Sequence, residues 1–158
     1  MKIAALVTAL SAALEPLARE NAGTLEVAES MEEARAFLDA APARWRLVLL
    51  WDGYGSHPQA REGMTKHRVT TVVQQVRGLP AQPATRMLSY SERLEQVSRW
   101  MRSMRFPNGT DADPYGFSLE DSKWVETIRT CRAHAMTWEL VAALPGFTDT
   151  ITLAFPQT

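Results

Sequence analysis

The segment Arg46-Leu47-Val48-Leu49-Leu50-Trp51 sets five apolar side chains in succession. A strand sends alternate side chains to opposite faces, so a run without alternation must be covered on both. This run therefore predicts an interior strand of a sheet. It is too short to span a bilayer, which takes about 20 residues, and no other apolar run in the chain approaches that length. With 158 residues, the chain is long enough for one domain with its own core. A single cysteine excludes an internal disulfide framework and a Cys-rich metal site.

Around that strand the periodicities alternate between helix and sheet. Leu6, Leu10, Leu14 and Leu17 fall on one helical stripe, which predicts a first helix over 2–21 with Pro16 inside it and Gly23 as its stop. The same apolar start after Lys2 has the outline of a secretory leader, and both readings stand at this point. Residues 24–28 alternate as a short strand. Ser30 and Glu33 form a capping box before a short helix to about residue 41, with Ala34, Phe37, Leu38 and Ala41 facing inward. Residues 52–65, with Asp52-Gly53-Tyr54-Gly55 at their start, read as a long polar loop and a flexible hairpin tip. Residues 67–77, rich in Val and Thr, return as the second strand of the hairpin.

Two prolines in 79–84 predict an extended crossing. Ser89 and Glu92 form a second capping box. Tyr90, Leu94, Val97, Met101 and Met104 follow it at helical spacing, with Arg93, Glu95, Arg99 and Arg102 on the opposite side. A second polar loop is expected over 107–120. Strands are expected over 124–132, 137–142 and 150–155. The fold class is α+β: a mixed or antiparallel sheet with a long hairpin, flanked by two or three helices. It forms one domain over 1–158, with a helical part at 1–43 and the sheet and amphipathic helix at 44–158.

The residue types that carry chemistry lack the spacing that chemistry needs. His57, His67 and His134 have no H-E-x-x-H context. Cys131 near His134 lacks a hydrolase signature and reads as a structural thiol. Asn108, Asp111 and Asp113 do not complete a calcium loop, and Asn108-Gly109-Thr110 is a short sequon that chance produces often. There is no G-x-S-x-G elbow, P-loop or dinucleotide fingerprint. No catalytic residue, metal ligand or cofactor is assigned, and the expectation is a protein that is not an enzyme.

Charge is informative by segment. The formal net charge is −1, which gives no global field for nucleic acid. Yet residues 15–39 carry seven acids and two bases, and 44–77 carry two acids and six bases. Residues 86–105 hold five arginines and two glutamates, and 107–126 hold five acids and one lysine. Such blocks form ordinary solvated faces or complementary surfaces for head-to-tail association, which closes into a ring when the rotation allows.

The strands at 46–51 and 67–77, the helix at 89–105 and the strands at 137–142 and 150–155 follow one another in an order that resembles the tail terminator proteins of long-tailed bacteriophages. The layout is similar to the small ring-forming terminator of lambda-type phages and covers most of 44–158. The likeness is one of topology and composition, without a diagnostic motif. The chain departs from that layout in the acidic element at 24–41. The resemblance implies a virion structural protein of the tail or neck, assembled in the host cytoplasm. It forms a homohexameric ring that caps the tail tube, ends its polymerisation and joins tail to head. Its partners would be further copies of itself, the tail tube protein, the head-completion or connector protein, and DNA passing through the lumen without sequence recognition; no membrane is implied. Arg99, Trp100 and Arg102 are expected at a subunit contact, and Tyr54 and His57 in a loop meeting a partner or the lumen. Two other readings stay open: another neck or tail-completion component, or a small ligand-binding or enzymatic domain with a site between loops 52–65 and 107–120.

Overall fold

Along the chain the order is α1 (Ile3–Arg19), a 3-10 turn (Glu20–Ala22), β1 (Thr24–Ala28), α2 (Met31–Leu38), β2 (Trp45–Ser56) and β3 (Met64–Val76). Then come α3 (Tyr90–Ser103), β4 (Met104–Phe106), β5 (Tyr115–Val125), β6 (Cys131–Ala143) and β7 (Thr152–Leu153). The computed structural model describes residues 3–56, 64–78, 88–106, 115–143 and 152–153. The strands form one mixed sheet in the order β1-β2-β3-β6-β5-β4-β7. β1 runs parallel to β2, and every other pairing is antiparallel. The α+β class, with a long hairpin and three flanking helices, is as expected.

The apolar run in β2 is covered on both faces, as its pattern requires. Trp45, Leu47 and Leu49 join one buried cluster with the α1 stripe Leu6, Leu10, Leu14 and Leu17 and with Val97, Met101 and Met104 around α3. Val48 and Leu50 join a smaller cluster with Ala34 and Leu38 of α2. Pro16 sits on the exposed side of α1, and the helix continues past it to Arg19.

The reversal after α1 is built around Trp45. Its indole Nε1 donates to the Glu20 carbonyl at 2.7 Å. A Cβ at Gly23 would lie 2.3 Å from both Trp45 Nε1 and the Ala18 carbonyl oxygen, so only glycine lets the chain pass. Asn21 and Ala22 take positive φ values of 52° and 57°. Non-glycine residues pay about 1–2 kcal/mol for that conformation, and Arg93 helps to hold it by donating from Nη2 to Asn21 Oδ1 at 2.5 Å.

Arg93 corrects the expectation of a solvated face on α3. It is fully buried, its guanidinium stacks 4.1 Å above the Trp45 ring, and Nη1 donates to Gln96 Oε1 at 2.8 Å. Burial lowers its pKa to about 10, against the opposing pull of Glu20 and Glu92, so it stays cationic near neutrality. The buried arc of α3 is wider than the apolar stripe because an arginine can both pack on an indole and satisfy a turn.

Several expected boundaries move. Residues 52–56 and 64–65 of the expected polar loop are strand, since β2 and β3 pair out to Ser56 and Thr65, and 57–63 lie outside the described residues. Asp52 is the extra residue of a bulge between Trp51 and Gly53, and Gly53 takes φ +129° there. Asp52-Gly53-Tyr54-Gly55 is thus a bulged strand; glycines accommodate a bulge as readily as a tip. The strand expected over 124–132 is instead the junction of two strands. β5 ends at Val125, Cys131 N–H donates back to the Ile128 carbonyl at 3.0 Å, and β6 begins. The loop expected at 107–120 gives way to β5 from Tyr115. α2 stops at Leu38, leaving Ala41 exposed. Most of the strand expected at 150–155, the crossing at 79–84, and Asn108, Asp111 and Asp113 lie outside the described residues.

Both serine caps form. Ser30 Oγ accepts from Glu33 N–H at 3.1 Å, and the Glu33 carboxylate accepts from Glu29 N–H at 3.1 Å, one residue earlier than the usual partner. Ser89 Oγ accepts from Glu92 N–H at 3.3 Å and donates to Glu92 Oε1 at 2.8 Å.

Candidate functional site

The face of the sheet opposite α1 and α3 is only partly covered. α2 is short, and its C-terminal end is pinned by polar side chains. Gln74, fully buried on β3, donates through Nε2 to the Leu38 carbonyl at 3.0 Å, the Ala40 carbonyl at 3.2 Å and Thr127 Oγ1 at 2.8 Å. Its Oε1 accepts from Arg46 Nη1 at 2.9 Å, and Arg46 also donates to the Phe37 and Ala40 carbonyls. These bonds occupy carbonyls that a helix end leaves without intrahelical partners.

Beyond α2 the same face opens into a groove of about 660 Å³. Its floor includes Leu50, Val72 and Ala135, and Met31 and Arg35 of α2 stand on one side. Asp52 lies within it and accepts from Thr70 Oγ1 at 3.1 Å, while Thr70 and Thr137 hydroxyls approach to 3.4 Å. Farther along, the face becomes charged. Lys66 pairs with Glu139, and Arg68 meets Glu120 in a bidentate pair at 2.9 and 3.0 Å. The Lys66 hydrogen bond holds the Glu139 carboxyl below its usual range.

On the opposite face, below the start of α3, lies an aromatic cluster. Tyr90 stacks on Trp124 with centroids 5.6 Å apart and planes 21° from parallel. His134, directly across the ladder from Trp124, meets it edge-on at 5.2 Å. Trp124 is nonetheless 66% exposed. Burial raises the Tyr90 phenol to about 12, although the nearby charges of Arg132 and Arg77 draw it down. Burial lowers His134 below its ordinary value.

Ser122 Oγ lies 2.6 Å from His134 Nε2. A hydrolytic Ser–His pair also needs a third group to orient the imidazole. His134 Nδ1 is buried with no hydrogen-bond partner among the described residues, so as arranged the serine holds the ring in place. Cys131 is buried. Three residues apart on one strand, Cys131 and His134 point to opposite faces, so they do not form a pair. His67 is also buried, and desolvation lowers its pKa. Among the described residues no group of three or more His, Cys, Asp or Glu could hold a metal ion.

The residues expected to make contacts are scattered. Arg99 and Arg102 are exposed on α3. Trp100, expected to be partly exposed, is buried within the subunit at 8% exposure, and its Nε1 donates to the Ala13 carbonyl at 3.0 Å. It flanks the apolar stripe by one step, and α1 packs there. Tyr54 is in the bulged part of β2, opposite His67, and His57 lies outside the described residues. The cluster of Tyr90, Trp124 and His134 escaped the sequence reading. Its one signal is the spacing of Ser122 and Trp124 by two, which places them on one strand face; running that strand on to 132 hid the hairpin that brings His134 across. No family model matches the chain, and no curated protein matches it.

Proposed function

We propose that this chain is the ring-forming subunit that caps the tail tube of a long-tailed bacteriophage, ends tube polymerisation and joins tail to head in the virion. The observation that supports this reading best is a pair of unlike charge patches on the two faces of the sheet. Exposed Arg99 and Arg102 sit toward the C-terminal end of α3, which packs on one face, with exposed Glu92 and Glu95 nearer its start. Exposed Glu29, Glu32, Glu33 and Asp39 lie on or beside α2, which packs on the other. Unlike patches on opposite faces suit a heterologous contact, in which Arg99 and Arg102 of one copy meet the acidic residues around α2 of the next. Such a contact repeats until the ring closes.

A rigid sheet serves this role without an active site. One rim of the ring matches the tube, and the other offers no equivalent surface to a further tube subunit, so growth stops. Another neck or tail-completion component would share these features and differ in the ring on which it stacks. A small-ligand domain is favoured by the groove beside α2, which Asp52 at the start of the expected first loop helps to line.

Light scattering after size exclusion, at several concentrations and salt strengths, tests the reading. The expected result is a closed oligomer, a hexamer, that loosens as salt rises, and an Arg99→Glu/Arg102→Glu variant of lower mass. A chain that stays monomeric at every concentration and in the presence of tube ends, or a double variant with unchanged assembly, would count against it.

A further inference from the structure

An exposed tryptophan is usually mobile. Trp124 is instead held between a stacked tyrosine and an edge-on histidine, while two thirds of its surface remains in water. The cost of ordering the indole is met before any ligand arrives, which is what a binding platform requires. A shallow depression of about 390 Å³ adjoins Trp124 and is lined by Arg77, Arg129 and Arg132, with Glu126 as the single acid among the lining residues. Arg129 and Arg132 are exposed and make no ion pair among the described residues. Arg77, which also lines the depression, is anchored through Nε to the Cys131 carbonyl at 3.1 Å.

We propose that Trp124 and the three arginines form a binding site for a nucleobase carrying phosphate, either a free nucleotide or single-stranded nucleic acid. The base stacks on the indole, and the phosphate is drawn by Arg77, Arg129 and Arg132. The chemistry fits both halves of such a ligand. A planar π-system gains from a preset aromatic ring whatever its sequence, and guanidinium groups bind phosphate in a bidentate geometry. A purely apolar ligand would have no use for the arginines, and an acidic peptide would have none for the indole. Trp124 carries the site on the α1/α3 side, at a margin of the sheet where Trp124, Val125 and Glu126 also line the α2 groove, and the site does not depend on the tail-capping reading.

The full chain is titrated with fluorescein-labelled oligo(dT), with adenosine triphosphate, and with inorganic phosphate and polyglutamate as controls. Saturable binding of the oligonucleotide with weak mononucleotide binding assigns a strand, and comparable binding of both assigns a nucleotide; each supports the site. Trp124→Ala should weaken binding by about tenfold or more, as expected for the loss of one stacked base, and Trp124→Phe should retain most of it. Arg129→Glu/Arg132→Glu should weaken binding and flatten its salt dependence. Because these side chains are exposed, each variant should keep the wild-type thermal melt, which separates lost binding from lost fold. The proposal is overturned if neither base-bearing ligand saturates, if polyglutamate binds as well as oligo(dT), or if Trp124→Ala binds like the wild type while remaining folded.

Discussion

The two faces of the sheet solve the same problem differently. On the α1/α3 side, two long helices close a largely apolar core, and the buried arginine is absorbed by stacking on Trp45 and bonding Asn21. On the α2 side, one helix of eight residues covers a small patch, and its attachment relies on Gln74, Arg46 and Thr127. The first face depends on area removed from water, which is not directional. The second depends on a few directional bonds to a helix end, whose loss leaves buried carbonyls unsatisfied. A sheet built this way concentrates its apolar burial on one face and leaves much of the other uncovered.

This contrast is broken most severely at Trp45. Trp45→Ala should cost about 3–5 kcal/mol, because it empties the centre of the larger core and removes the surface on which Arg93 stacks; urea denaturation would read it. Gln74→Leu should cost less, about 1–3 kcal/mol. Its signature should be local, with faster amide hydrogen exchange in α2 while α1 keeps its protection. Equal loss of protection in both helices would mean that the two faces are not separable units.

Acid should act next, and from within the larger core. His67 alternates with Val69 and Val73 on that side, and its pKa is lowered from 6.5 by burial. The unfolded chain then takes up its proton at higher pH than the folded one. The contribution of His67 is therefore present above pH 6.5 and lost as pH falls below it. The slope for this single group is at most about 1.4 kcal/mol per pH unit, and His67→Gln should flatten the fall between pH 7.5 and pH 5. A profile unchanged by that substitution would move the acid sensitivity elsewhere. The smallest effect belongs to the charged end of the open face. Arg68→Ala should cost less than about 1 kcal/mol, because both partners of the Arg68–Glu120 pair are solvated, and the loss should shrink further in high salt.

The elements were legible where a local rule settled them. The α1 leucines fall on one stripe, and all four are buried. Both serine caps form because the groups they satisfy lie within three residues. The interior placement of the Arg46–Trp51 run follows from its lack of alternation. The misreadings share a cause. Arg93 and Trp100 received their places from partners far away in the chain, Asn21 and Ala13 respectively. Glycines at 53 and 55 signalled a turn, although a bulge uses the same freedom, and only the β3 ladder selected between the two.

The sequence by itself determined that this chain forms an α+β sheet with a doubly covered strand, two capped helices and segregated blocks of charge. These follow from periodicity and from groups a few residues apart, whose geometry the backbone dictates. The tertiary structure alone decided which face of the sheet stays open, that Trp100 is core while Trp124 is surface, and that Tyr90, Trp124 and His134 meet. Those outcomes depend on strand order and register, set by long-range contacts whose hydrophobic gain is the same for many pairings until shape and hydrogen-bond satisfaction choose among them.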